Sequence, residues 1–139
     1  MCRIISRSRL CQSLPRQKLL SVLNLMNHNK VPEGRYVVRQ GDKASSLMFV
    51  LSGEVSVDVE GRPLAKLCKG DFFGESALCW SVCRAGEGHH QLRSADCRAL
   101  TDAELVELRA DALLPIIHTF PEVHASMLSI INEAGAPAR

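Results

Sequence analysis

The sequence predicts a mainly β domain with flanking helices: a jelly-roll-like core of eight strands, with one helix before it and two after. Three observations carry this. Gly34, Gly41, Gly53, Gly61 and Gly70 punctuate the middle of the chain at intervals of roughly 8–12 residues, the spacing of turns in a sandwich or barrel. Between them, short runs are rich in β-branched and aromatic residues. Apolar residues at helical spacing occur only at the two ends of the chain.

Taken in order, Ser13 and Pro15 read as a helix start, serine as cap and proline in the first turn. Leu19, Leu20, Leu23 and Met26 then form one apolar stripe that ends near Asn27. The β runs are Tyr36–Arg39, Leu47–Leu51, Glu54–Val59 and Pro63–Cys68. Val55, Val57 and Val59 alternate with Ser56 and Asp58, which predicts valines in the core and the polar pair in solvent. Ser52-Gly53 and Glu60-Gly61 supply turns. Ala95–Leu100 and Glu104–Leu108 are two further strands, joined through Thr101-Asp102. Leu113, Leu114, Ile116 and Ile117 make one face of a helix. Pro121 opens a second, carrying Val123, Met127, Leu128 and Ile131, and Gly135 and Pro137 stop it.

With 139 residues the chain is long enough for one domain with a packed core. No apolar run approaches the ~20 residues of a membrane-spanning helix, so no direct membrane span is expected. Residues 1–32 hold no Asp or Glu but carry Arg3, Arg7, Arg9, Arg16, Lys18 and Lys30. Residues 1–13 therefore read as a basic arm or a linker remnant, and 14–139 as the domain. Cys2, Cys11, Cys68, Cys79, Cys83 and Cys97 follow no framework spacing and read as reduced thiols in a cytoplasmic setting. Cys79 and Cys83 with His89 and His90 invite zinc, but no second spaced pair completes a tetrahedral set, so no metal is expected.

The densest chemistry lies in GDFFGESAL, Gly70 to Leu78, followed by Arg93-Ser94-Ala95. A glycine lets backbone N–H groups approach an anion, and a helix opening there turns its positive end toward the charge. Arginine adds a planar fork that matches phosphate oxygens two at a time. Glu75 is a carboxylate in an apolar run, which costs free energy unless a partner compensates it.

Four blocks, EGRYVVRQGD at 33–42, MFVLSGEVSV at 48–57, GDFFGESAL at 70–78 and RSADCRALTDAELVEL at 93–108, resemble the cyclic nucleotide-binding domain family. The resemblance covers roughly residues 14–133. It implies a phosphate-binding cassette, with cAMP or cGMP as ligand and no metal. By position, Gly74 and Glu75 would meet the ribose 2′-hydroxyl. N–H groups around Ser76 and Ala77 would face the cyclic phosphate, and Arg93 would pair with its charge. Phe73, Ser94 and Ala95 complete the implied site. A Ser94 hydroxyl can also bond the 2-amino group of a syn guanine, but the choice between cAMP and cGMP stays open. The turn residues Gly41-Asp42 and Gly53-Glu54 are read as structural, and Phe72 as core.

One departure is plain. Arg84 stands nine residues after Glu75, the family's usual spacing, whereas Arg93 stands eighteen after it. The extra residues fall within 79–92, CWSVCRAGEGHHQL, which reads as a polar, glycine-bearing loop. Only Arg93 is in register with the strand that follows, and it is favoured over Arg84. Whether the insertion forms a flap over the pocket or spoils it is left open.

The function implied is a regulatory domain that is not an enzyme. It would bind a cyclic nucleotide and couple binding to movement of the last helix, with Met127, Leu128 or Ile131 closing over the base. The partner would be an effector protein or a channel domain, since Phe120-Pro121 and LVELRADALLPII look most like the ion-channel branch. A homo-oligomer would arise through a parent protein. No helix-turn-helix accompanies the domain, so nucleic acid is not an expected partner. The alternative is the same fold without nucleotide, serving as a protein-interaction module. A cupin-type metalloenzyme is set aside because no predicted strand contains histidine.

Overall fold

A computed structural model describes residues 9–12, 15–84, 91–119 and 121–134. Helix α1 spans Arg9–Gln12 and α2 spans Arg16–Leu23. Eight strands follow among the described residues: β1 Asn27–Val31, β2 Tyr36–Val38, β3 Ser46–Ser52, β4 Val55–Val59, β5 Arg62–Leu67, β6 Phe72–Phe73, β7 Asp96–Ala99 and β8 Ala103–Arg109. Helix α3, Glu75–Cys83, separates β6 from β7. The chain closes with α4, Ala110–Leu113, a 3₁₀ turn over Leu114–Thr119, and α5, Pro121–Ala134. The mainly β class and its flanking helices are as the sequence predicts. The expected caps Ser13, Gly135 and Pro137 lie outside the described residues.

The strands form two antiparallel sheets of four, β1-β8-β3-β6 and β2-β7-β4-β5. The central strands of the first sheet, β3 and β8, are buried on both faces, and the sequence of β3 shows why. In SLMFVLS the side chains alternate, so Met48 and Val50 enter the core between the sheets. Leu47 and Phe49 enter a second core beneath the helices. Strand β8 does the same, with Ala103 and Leu105 on one side and Val106 and Leu108 on the other. A continuous apolar run is what a doubly covered strand requires. Leu78, Cys79 and Val82 of α3 and Val123, Met127, Ile130 and Ile131 of α5 fill the helical core.

The β4–β5 hairpin turns on Glu60 (φ 51°) and Gly61 (φ 80°), both left-handed, as a two-residue I′ turn demands. Several expectations need correction. Ser56 and Asp58 are buried, not solvent-facing. β4 is an interior strand, the Ser56 hydroxyl donates to Asp58, and the Arg98 guanidinium approaches Asp58 at 3.8 Å. Strand β1, NHNKV, has a polar composition that gives no strand signal; it is an edge strand, which tolerates that. It also carries His28, so a strand does contain histidine, and its Nε2 lies 3.0 Å from Glu104 Oε2. The first C-terminal helix is a single α turn that tightens into 3₁₀. Within the expected basic arm Arg9–Gln12 is helical, and Leu10 sits in the helical core at 1% exposure.

Candidate functional site

The segment expected to loop over the pocket begins in helix: residues 79–83 complete α3, and Leu78, Cys79 and Val82 are buried against α5. The apolar i, i+1, i+4 spacing of those three residues carried the signal. His89 and His90 lie outside the described residues, and the described residues contain no group of three or more His, Cys, Asp or Glu placed to hold a metal.

Gly74 caps α3 in the left-handed conformation at φ 89°. An added Cβ would run into the Ser46 carbonyl oxygen and come within 2.8 Å of Arg93 Nη1, so glycine is what lets the turn sit against β3. The first helical bond runs from Leu78 N–H to Gly74 O at 2.9 Å. The N–H groups of Ser76 and Ala77 precede it, and no turn of helix accepts them. They and the helix dipole point out of the same end.

Arg93 is brought to this end by a short backbone ladder. Its N–H donates to Asp42 O at 2.7 Å, its carbonyl accepts from Gly41 N–H at 2.9 Å, and Gln91 O accepts from Ala44 N–H at 2.7 Å. The side chain is nine-tenths buried. Nη2 donates to Ser46 O at 3.2 Å and to Ser46 Oγ at 3.0 Å, and the guanidinium lies 5.6 Å from the Phe73 ring centroid. Nε is buried with no hydrogen-bond partner, and no carboxylate lies within ion-pair distance among the described residues. Burial therefore pulls the Arg93 pKa down, with Cys97, Glu107 and Asp42 offsetting part of the fall.

These parts border a cavity of about 210 Å³. Phe73, Gly74, Ser76 and Ala77 line one side, Arg93, Ser94 and Ala95 another, and Val38, Val57 and Cys97 form an apolar floor across the second sheet. The cavity is smaller than the ~300–1,000 Å³ of typical small-molecule clefts, and Leu92, half-exposed, is among its lining residues. Burial lifts the Cys97 thiol to about 11. Arg84 does not line the cavity; its guanidinium stands 5.1 Å over the Trp80 ring.

Of the residues expected at the site, Glu75 is not in the cavity wall; its Oε2 accepts from the Leu10 N–H at 3.3 Å. Nor do Met127, Leu128 or Ile131 line it. Met127 and Ile131 lie in the helical core and Leu128 is exposed on α5. Sequence reading missed Ser46, Val38, Val57, Cys97, Gln91 and Leu92. The Val57 alternation was visible, but which core it faced was not.

A family model described as cyclic nucleotide-binding domain matches residues 28–120. The chain belongs to the cyclic nucleotide-binding domain family. The domain is 26% identical over 131 residues to probable cyclic nucleotide-gated ion channel 10 of Arabidopsis thaliana, covering 90% of this chain and 18% of that one. It is 26% identical to the cGMP-dependent protein kinase egl-4 of Caenorhabditis elegans, covering 73% and 12%. The chain thus spans under a fifth of the length of either relative. Among solved structures, the C-linker/CNBHD of zELK channels, crystallised in the presence of cAMP, superposes with a TM-score of 0.76 at 26% identity, over 93% of this chain and 62% of that one.

Proposed function

We propose that this cyclic nucleotide-binding domain binds cAMP or cGMP and regulates an attached or partner effector. The observation that carries the reading is Arg93: a nine-tenths-buried cation with an unpartnered Nε and no carboxylate within ion-pair distance among the described residues, beside the helix N–H groups that precede the first helical bond. A buried charge in that state is costly, and a cyclic phosphate between Arg93 and the N–H groups of Ser76 and Ala77 would compensate it. The ribose would lie toward Gly74 and Glu75, and the base over Val38, Val57 and Cys97 with Ser94 and Ala95 beside it. The chemistry is binding, without a catalytic step.

Coupling runs through α3. The helix begins at the phosphate seat and packs on α5 through the core that holds Leu78, Val82, Met127 and Ile131. A ligand that draws in Gly74–Ala77 would move α5 as a lever, with Met127 and Ile131 as the bearing surface, before any of them could close over a base. The shift it drives is limited by its differential affinity for the two positions. A cation channel or a kinase is the class of effector that the relatives suggest, on the cytosolic side of a membrane or in the cytoplasm, oligomeric through the parent protein. Among the described residues, no helix is long and apolar enough to cross a membrane.

Titration calorimetry with cAMP and with cGMP tests this. Binding should weaken roughly 10- to 150-fold in Arg93→Ala, the loss of charge-assisted hydrogen bonds. In Arg84→Ala it should change by no more than about twofold. Absence of heat with both nucleotides would overturn the reading and favour the protein-interaction module.

A further inference from the structure

The carboxylate that the cyclic nucleotide reading assigns to the ribose is engaged elsewhere. Glu75 is the first residue of α3, and its neighbours Gly74 and Ser76 both line the cavity, yet Glu75 does not. Its Oε2 accepts a hydrogen bond from the backbone N–H of Leu10, 65 positions earlier in the chain, at 3.3 Å. Leu10 is fixed in turn: its side chain is 1% exposed in the helical core, and α1 packs against α5. To reach a hydroxyl in the cavity, Glu75 must rotate away from the N-terminal segment and give up this acceptor role.

We infer that α1 is a positioning element for Glu75, and that the Leu10 N–H and the ribose 2′-hydroxyl compete for one carboxylate. The inference rests on the reading of the cavity as a cyclic nucleotide site. It adds a specificity determinant outside the cavity, because 2′-hydroxyl discrimination depends on a backbone donor in α1. It also gives the signal a second exit. A nucleotide that captures Glu75 frees the Leu10 N–H and loosens α1 from α3, so the N-terminal end of the domain responds as well as α5. A ligand without the 2′-hydroxyl fills the phosphate seat and leaves the α1 contact intact.

Amide hydrogen exchange at Leu10, in the full chain, distinguishes the outcomes. With saturating cAMP, exchange at Leu10 should accelerate about tenfold or more, the loss of a hydrogen bond to a charged acceptor. With saturating 2′-deoxy-cAMP it should stay at the nucleotide-free rate. Glu75→Ala without nucleotide should show the fast Leu10 rate, and should bind the two nucleotides alike. If both nucleotides bind and neither changes Leu10, or both accelerate it equally, the inference fails while the cyclic nucleotide reading stands. If neither nucleotide binds, the reading itself fails, and the competition with it.

Discussion

Gly74→Ala should be among the costliest single substitutions in this domain, and its cost has two separable parts. The residue sits at φ 89°, where a Cβ carries a penalty of about 1–2 kcal/mol. The added carbon also meets the Ser46 carbonyl oxygen, which is backbone of β3 and cannot swing aside, and stands 2.8 Å from Arg93 Nη1. Forcing that shift resembles overpacking a core, about 1–3 kcal/mol. The sum is about 2–5 kcal/mol. Gly41→Ala supplies the control: φ is 92°, but nothing lies within 4 Å of the place its methyl group would take, so only the conformational part of about 1–2 kcal/mol applies. Urea denaturation of both variants, with matching slopes, measures the difference. If Gly74→Ala costs no more than Gly41→Ala, the close approach of the α3 turn to β3 is not a constraint, and the account of why glycine stands there is wrong.

Two further outcomes are expected. Met127→Ala should cost about 2–4 kcal/mol in the same denaturation assay, because its side chain is fully buried, while the exposed Leu128→Ala should stay within about 0.5 kcal/mol; equal effects would mean that α5 does not bear on the core as described. Cys97 should make stability fall with alkaline pH: its pKa is raised from 9.0 to about 11 by burial, so its contribution is intact below pH 9.0 and is lost as pH climbs through about 11. Cys97→Ala should flatten the pH dependence of stability across that window, and an unchanged slope would refute the assignment.

Much of the fold was legible because it is written in local signals. The glycine punctuation, the Glu60-Gly61 turn and the alternation in β4 follow from backbone sterics and need no knowledge of distant neighbours. What failed were features decided by packing partners. Ser56 and Asp58 look solvent-facing by alternation, but only the placement of β4 between β5 and β7, with Arg98 at 3.8 Å from Asp58, explains their burial. β1 was illegible since an edge strand can be almost wholly polar. Residues 79–83 resemble a loop through the glycines and histidines beyond them, while their own apolar spacing belongs to α3. At the site, Arg93 could be favoured from the register of the following strand, and the structure places it on the cavity wall. Ser46 left no trace, being one serine in a short polar stretch. The turn of Glu75 toward Leu10 was invisible for a deeper reason: a contact 65 positions away has no local signature.

The ladder between Gly41–Ala44 and Gln91–Arg93 also bears on how such a domain can diverge. It holds Arg93 through residues that follow the insertion, so the place of the arginine is set by this ladder rather than by the length of chain that precedes Gln91. The closure entropy of a flexible loop grows only logarithmically with its length, about 0.6 kcal/mol per doubling. That interval is a splice point: lineages can lengthen it, or an engineer can seat a reporter in it, while the arginine keeps its address.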